Sequence, residues 1–118
     1  MIRTVDLVIA GDGSAAGLAA VSALQRGQRV LVVLRSADAR VARRLRRSLL
    51  ETADADGGQL RVMTRAEVVC VDGLDAVEAV IVRHARTGRL SAVNASAFVS
   101  FDGSSQSQGA PSTNEPRA

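Results

Sequence analysis

The sequence predicts an α/β fold in which a parallel sheet is covered by helices and carries an appended antiparallel β meander. Three observations lead there. Residues 5–10 and 30–34 are short, unbroken apolar runs, the length and character of strands buried on both faces. Between them lies a stretch of small and apolar residues suited to a helix packed closely on a sheet. From residue 67 onward, three β-rich segments follow one another at short intervals, separated by Asp-Gly and Thr-Gly turns.

The composition agrees with that architecture. With no Trp, no Tyr and two Phe in 118 residues, a core must be built from Val, Leu, Ile and Ala, and 47% hydrophobic residues suffice for one domain. The domain is expected over residues 1–103. Residues 104–118 are mostly Ser, Gln, Pro, Asn and Gly with almost nothing to bury, so a disordered tail is expected there.

Taken in order, residues 5–10 form a first strand closed by Gly11, and residues 14–26 a helix ending at Gly27. Residues 30–34 follow as the second strand, which completes a βαβ unit. Asp38 can cap a second helix reaching about residue 53, with Val41, Leu45, Leu49 and Leu50 inward and Arg40, Arg43, Arg44 and Arg47 outward. Gly57-Gly58 ends that region. Residues 60–63 read as a third parallel strand, residues 67–71, 76–85 and 89–93 as the meander, and residues 97–101 as the last strand of the sheet.

Gly11-Asp12-Gly13-Ser14-Ala15-Ala16-Gly17 joins the first strand to the first helix, the context in which a Gly-x-Gly-x-x-Ala spacing acquires meaning. Gly11 permits a tight turn, Gly13 lets backbone approach a diphosphate, and Ala16 keeps the helix near the strand. The helix start then offers unpaired N–H groups to the anion, as in Rossmann-like dinucleotide sites. The bland alternative is a βα turn with a close-packed helix. A carboxylate at Asp12 would repel a phosphate if it turned inward.

At the end of the second strand, an acidic residue suits the ribose hydroxyls of NAD or FAD, and an Arg suits a 2′-phosphate. Here the residue is Arg35, followed by Ser36 and, near the next helix start, Arg40. NADP(H) is therefore expected over NAD or FAD, with two surface arginines in an Arg-rich chain as the alternative.

These residues carry a resemblance. The loop 11–20, the strand Val30-Leu31-Val32-Val33-Leu34-Arg35 with Arg40, the meander, and Phe98-Val99-Ser100-Phe101-Asp102-Gly103 are similar to the NADPH-binding domain of thioredoxin-reductase-like flavoproteins, over roughly residues 4–103. Leu34 and Ser36 stand where that family has His and a second Arg, Asp12 where it usually has Gly, and Ser14 where it usually has Asn. The resemblance implies an NADP(H)-binding domain separate from the FAD domain and from the redox cysteines. It also implies a flavoprotein partner or a homodimer. Gly17-Leu18-Ala19-Ala20 and the second strand also resemble the N-terminal FAD motif of flavoproteins, so a truncated FAD domain is one alternative. A non-catalytic remnant with an interaction role is another.

Other chemistries find little support in the sequence. One cysteine, Cys70, cannot form an internal disulfide or a redox pair, and with the lone His84 it cannot build a zinc site. Cys70 lies in an apolar strand, where a buried, inert thiol is expected. No catalytic set emerges. All fifteen cationic residues are Arg, yet twelve acids leave a net charge of +3, and two Phe offer little for base stacking, so nucleic-acid binding is not expected. The sequence shows no signal peptide and no apolar stretch of about 20 residues, so a cytoplasmic location without membrane insertion is expected.

Overall fold

The structure is a computed structural model that describes residues 3–11, 13–35 and 39–101. Eight strands and two helices follow in the order β1 (Arg3–Thr4), β2 (Leu7–Ala10), α1 (Ser14–Gln25), β3 (Val30–Val33), α2 (Ala39–Ala53), β4 (Leu60–Met63), β5 (Ala66–Asp72), β6 (Ala79–His84), β7 (Leu90–Asn94) and β8 (Ala97–Ser100). They form two four-stranded sheets, one in the order β4-β3-β2-β8 and the other β1-β7-β6-β5. The first is parallel throughout. The expected α/β, Rossmann-like architecture is present.

Strand β3 shows why its run is apolar without alternation. Val30 and Val32 pack with Ala16, Ala20, Leu24 and Leu49 on the helical side, while Leu31 and Val33 pack with Val80, Val82 and Val93 of the meander on the other. Successive strand residues point to opposite faces. Both faces of β3 are covered, so all four of its residues are buried. The molecule has three layers, with α1 and α2 on one side, the parallel sheet in the middle and the second sheet on the other.

The helix ends are specified locally. Gly27, at φ +79, follows α1; its N–H donates to the Leu24 carbonyl at 2.9 Å and that of Gln28 donates to Ala23 at 3.1 Å. This is a Schellman stop, and glycine adopts it without strain. Helix α2 ends at Ala53, as expected, short of the glycine pair. Asp54 takes the left-handed conformation (φ 53) and the Ala55 N–H returns to the Leu50 carbonyl at 3.1 Å. Gly57–Gln59 instead forms a 3-10 turn, capped reciprocally by Asp56 and Gln59.

Three expectations need correction. The first strand of the parallel sheet begins at Leu7, not at residue 5, and a separate strand before the apolar run, β1, pairs with β7 in the second sheet. On α2, Ala42 packs partly against the core while Val41 is 43% exposed. Cys70 is exposed: β5 is an edge strand, and its register with β6 shifts between Val68 and Cys70. The predicted cap Asp38 and the tail from residue 104 lie outside the described residues.

At the amino ends of the strands, Asp6 and Arg29 tie β2 to β3. The Asp6 Oδ2 accepts a hydrogen bond from the Arg29 backbone N–H at 2.7 Å and lies 3.5 Å from its Nε. The backbone hydrogen bond first, then the guanidinium, hold the Asp6 carboxyl below its ordinary pKa.

Candidate functional site

The candidate site lies at the opposite ends of the strands. In the order β4-β3-β2-β8 the chain runs from β2 outward through β3 to β4, and β8 closes on the other side of β2. The reversal at β2 and β8 is a topological switch point, where open α/β sheets leave a crevice outside the carboxyl ends of their strands. A cleft of about 740 Å³ is found there, lined by Ala10, Val33 and Ser100 at three strand ends. Its size falls within the roughly 300–1,000 Å³ of small-molecule sites.

The two loop glycines differ in role. Gly11 has φ +148, and a Cβ built on it would lie 3.0 Å from the Phe101 Cβ and 3.1 Å from the Phe101 carbonyl carbon. Its N–H donates to the Val33 carbonyl at 3.2 Å, and the Phe101 N–H donates to the Ala10 carbonyl at 2.7 Å. Gly11 is thus clamped between β3 and the end of β8. Gly13 is extended (φ −94, ψ 179) and serves as the N-cap of α1 with no side-chain cap. A Cβ on it would meet nothing within 4 Å.

Gly13 lines the cleft, and α1 starts from it. The Gly13 carbonyl accepts the Gly17 N–H at 3.3 Å, which opens the helix. A helix start leaves its first N–H groups without intrahelical partners, and here the described first turn holds no acid to satisfy them. Ser14 and Ala15 are exposed, whereas Ala16 is 2% exposed and packs in the core. Ala16 therefore sets how closely the helix approaches the sheet.

Arg35, just beyond β3, lines the same cleft as Gly13. Arg40 lies in the first turn of α2 and is exposed. Both residues have interaction partners. Of the other residues expected at the site, Asp12 and Ser36 lie outside the described residues.

Two walls of the cleft were not read from the sequence. The outer part of β5 supplies Val69, Cys70 and Val71, β8 supplies Phe98, and Phe101 follows it. The edge position of β5 follows from long-range pairing, which carries no local signal. Phe101 had one: it is one of only two aromatic residues and directly follows the last strand.

The comparisons with known proteins bear on this geometry. A thioredoxin reductase from Streptococcus pyogenes superposes with a TM-score of 0.63 at 22% identity, covering 85% of this chain and 31% of that one. The thioredoxin reductase from Giardia duodenalis gives 0.62 at 17%, covering 86% and 32%. The chain shares its fold with part of a thioredoxin reductase. An L-proline dehydrogenase from P. horikoshii is also similar, with a TM-score of 0.56 at 18% identity over 85% of this chain and 23% of that one. The chain thus spans about a third or less of the length of these solved structures. No protein-family model and no curated protein matches it. Among the described residues, no helix is long and apolar enough to cross a membrane.

Proposed function

We propose that residues 1–103 are an NADP(H)-binding domain of a thioredoxin-reductase-like, flavin-dependent oxidoreductase, acting in the cytoplasm. The observation that carries this reading is that Gly13 and Arg35 line one cleft at the switch point of the parallel sheet. The open space at the Gly13 Cβ position fits a diphosphate approaching bare backbone.

In this reading Gly11, Asp12, Gly13, Ser14, Ala15 and Ala16 form the diphosphate cup. The unpaired N–H groups of the α1 start bind the anion, and Gly11 and Ala16 hold the cup against the sheet. Arg35, with Ser36 and Arg40, binds the 2′-phosphate; a guanidinium suits that group through paired, charge-assisted hydrogen bonds. Bound there, the nicotinamide would supply hydride chemistry, and the flavin that exchanges it belongs to a partner flavoprotein or to a second domain.

Thermal unfolding with NADPH and with NADH tests the assignment. NADPH raises Tm more than NADH at equal concentration, and Arg35→Ala removes the difference. Losing a hydrogen bond to a charged group is worth about 1.5–3 kcal/mol, so NADPH binding weakens by roughly ten- to a hundredfold. Equal shifts in the wild-type chain overturn the 2′-phosphate assignment.

A further inference from the structure

The β6–β7 hairpin carries a second concavity that the dinucleotide reading does not use. It has a volume of about 690 Å³, and Arg65, Arg86, Arg89, His84 and Ser91 line it together with Thr64 and Thr87. None of its lining residues is acidic.

The arrangement follows from the pleat. Val80, Val82 and His84 share one face of β6, and Ser91 and Val93 share the matching face of β7, paired Val80 to Val93 and Val82 to Ser91. The valines are buried against the parallel sheet. The inner face therefore ends in a polar pair, with His84 Nε2 and Ser91 Oγ 3.0 Å apart and part-buried. Around that pair stand three arginines. Among the described residues, the guanidiniums of Arg65, Arg86 and Arg89 have no hydrogen-bond or ion-pair partner, in contrast to Arg83, which binds Glu67.

A second feature singles out Arg65. It adopts the left-handed conformation at φ 52, and its carbonyl accepts the Ala85 N–H at 2.8 Å. Gly or Asn takes that conformation at less cost than Arg.

We propose that this concavity is a binding site for a phosphate dianion, free or as a monoester. Three like charges repel one another without a counter-ion, and guanidinium donors with neighbouring hydroxyls match the acceptor oxygens of a tetrahedral oxyanion. The site is separate from the glycine loop, and its existence does not depend on the dinucleotide reading.

The test is a titration of the full 118-residue chain, followed residue by residue through backbone amide NMR shifts. Inorganic phosphate and glycerol 3-phosphate are titrated separately, and the tighter binder identifies the source of the group. Saturable shifts are expected at residues 64–65 and 84–91. Arg86→Ala with Arg89→Ala should weaken binding at least about tenfold, the loss of one charge-assisted contact or more, while Arg43→Ala with Arg47→Ala on α2 leaves it unchanged. Arg65→Gly separates site from scaffold: it leaves Tm undiminished yet weakens phosphate binding several-fold. Shifts confined to residues 13–16, or equal weakening by the α2 variants, overturn the proposal. Absence of NADPH binding does not.

Discussion

Gly11 and Phe101 pack backbone against backbone, and a single added methyl at Gly11 would come 3.0 Å from the Phe101 Cβ. The contact joins the first turn of the chain to the last strand of the sheet, 90 residues later. It explains why a glycine is needed on the sheet side of the loop, whatever the loop binds.

Gly11→Ala is therefore expected to destabilise the fold. A side chain at φ +148 is strained, and β8 must also retreat, which together cost about 2–4 kcal/mol. Urea unfolding reads this as a lower midpoint at unchanged slope. A midpoint equal to wild type contradicts the clamp.

Cys70 is expected to be reactive in the native protein and protected by ligand. Its thiol is exposed and lines the cleft beside Gly13 and Arg35. NADPH at ten times its Kd should slow alkylation by up to about tenfold, in proportion to the fraction of sites left free. A rate indifferent to NADPH places the dinucleotide elsewhere.

Acid should weaken the strand tie at Asp6. The folded carboxyl has a lowered pKa, from its hydrogen bond with the Arg29 backbone and then from the guanidinium. A depressed folded pKa gives stability that is present above the unfolded value, about 3.9, and lost as pH falls through the folded one. Asp6→Asn should thus be less stable than wild type at neutral pH, with the gap closing below about pH 4. The pair is substantially exposed, so the gap is small and shrinks with salt. A gap that widens in acid contradicts the assignment.

Most of the parallel layer was legible in the sequence because its signals are local. Val30-Leu31-Val32-Val33 is apolar on both faces only because both faces are covered, and Gly27 stops α1 by its own backbone preference. The features that escaped are set by distant partners. Arg3 and Thr4 pair with Val93 and Asn94, and no pattern in four residues reveals that. Cys70 looks buried by its neighbours Val69 and Val71, yet an edge strand leaves all three exposed. At the site, the glycine loop and Arg35 carried recognisable chemistry, while the β5 wall depended on how the second sheet lies over the first.

The most direct measurement is calorimetric titration of NADPH into wild type and Gly13→Ser. Serine suits the extended N-cap geometry of Gly13, and its hydroxyl can accept the first-turn N–H groups of α1, so the variant should be at least as stable as wild type. Its side chain also enters the space into which a diphosphate would come. Wild type is expected to bind with micromolar Kd and Gly13→Ser at least about tenfold more weakly, a loss of some 1.4 kcal/mol. Equal affinity in the two proteins, or no saturable heat in wild type, contradicts a dinucleotide cup at the start of α1.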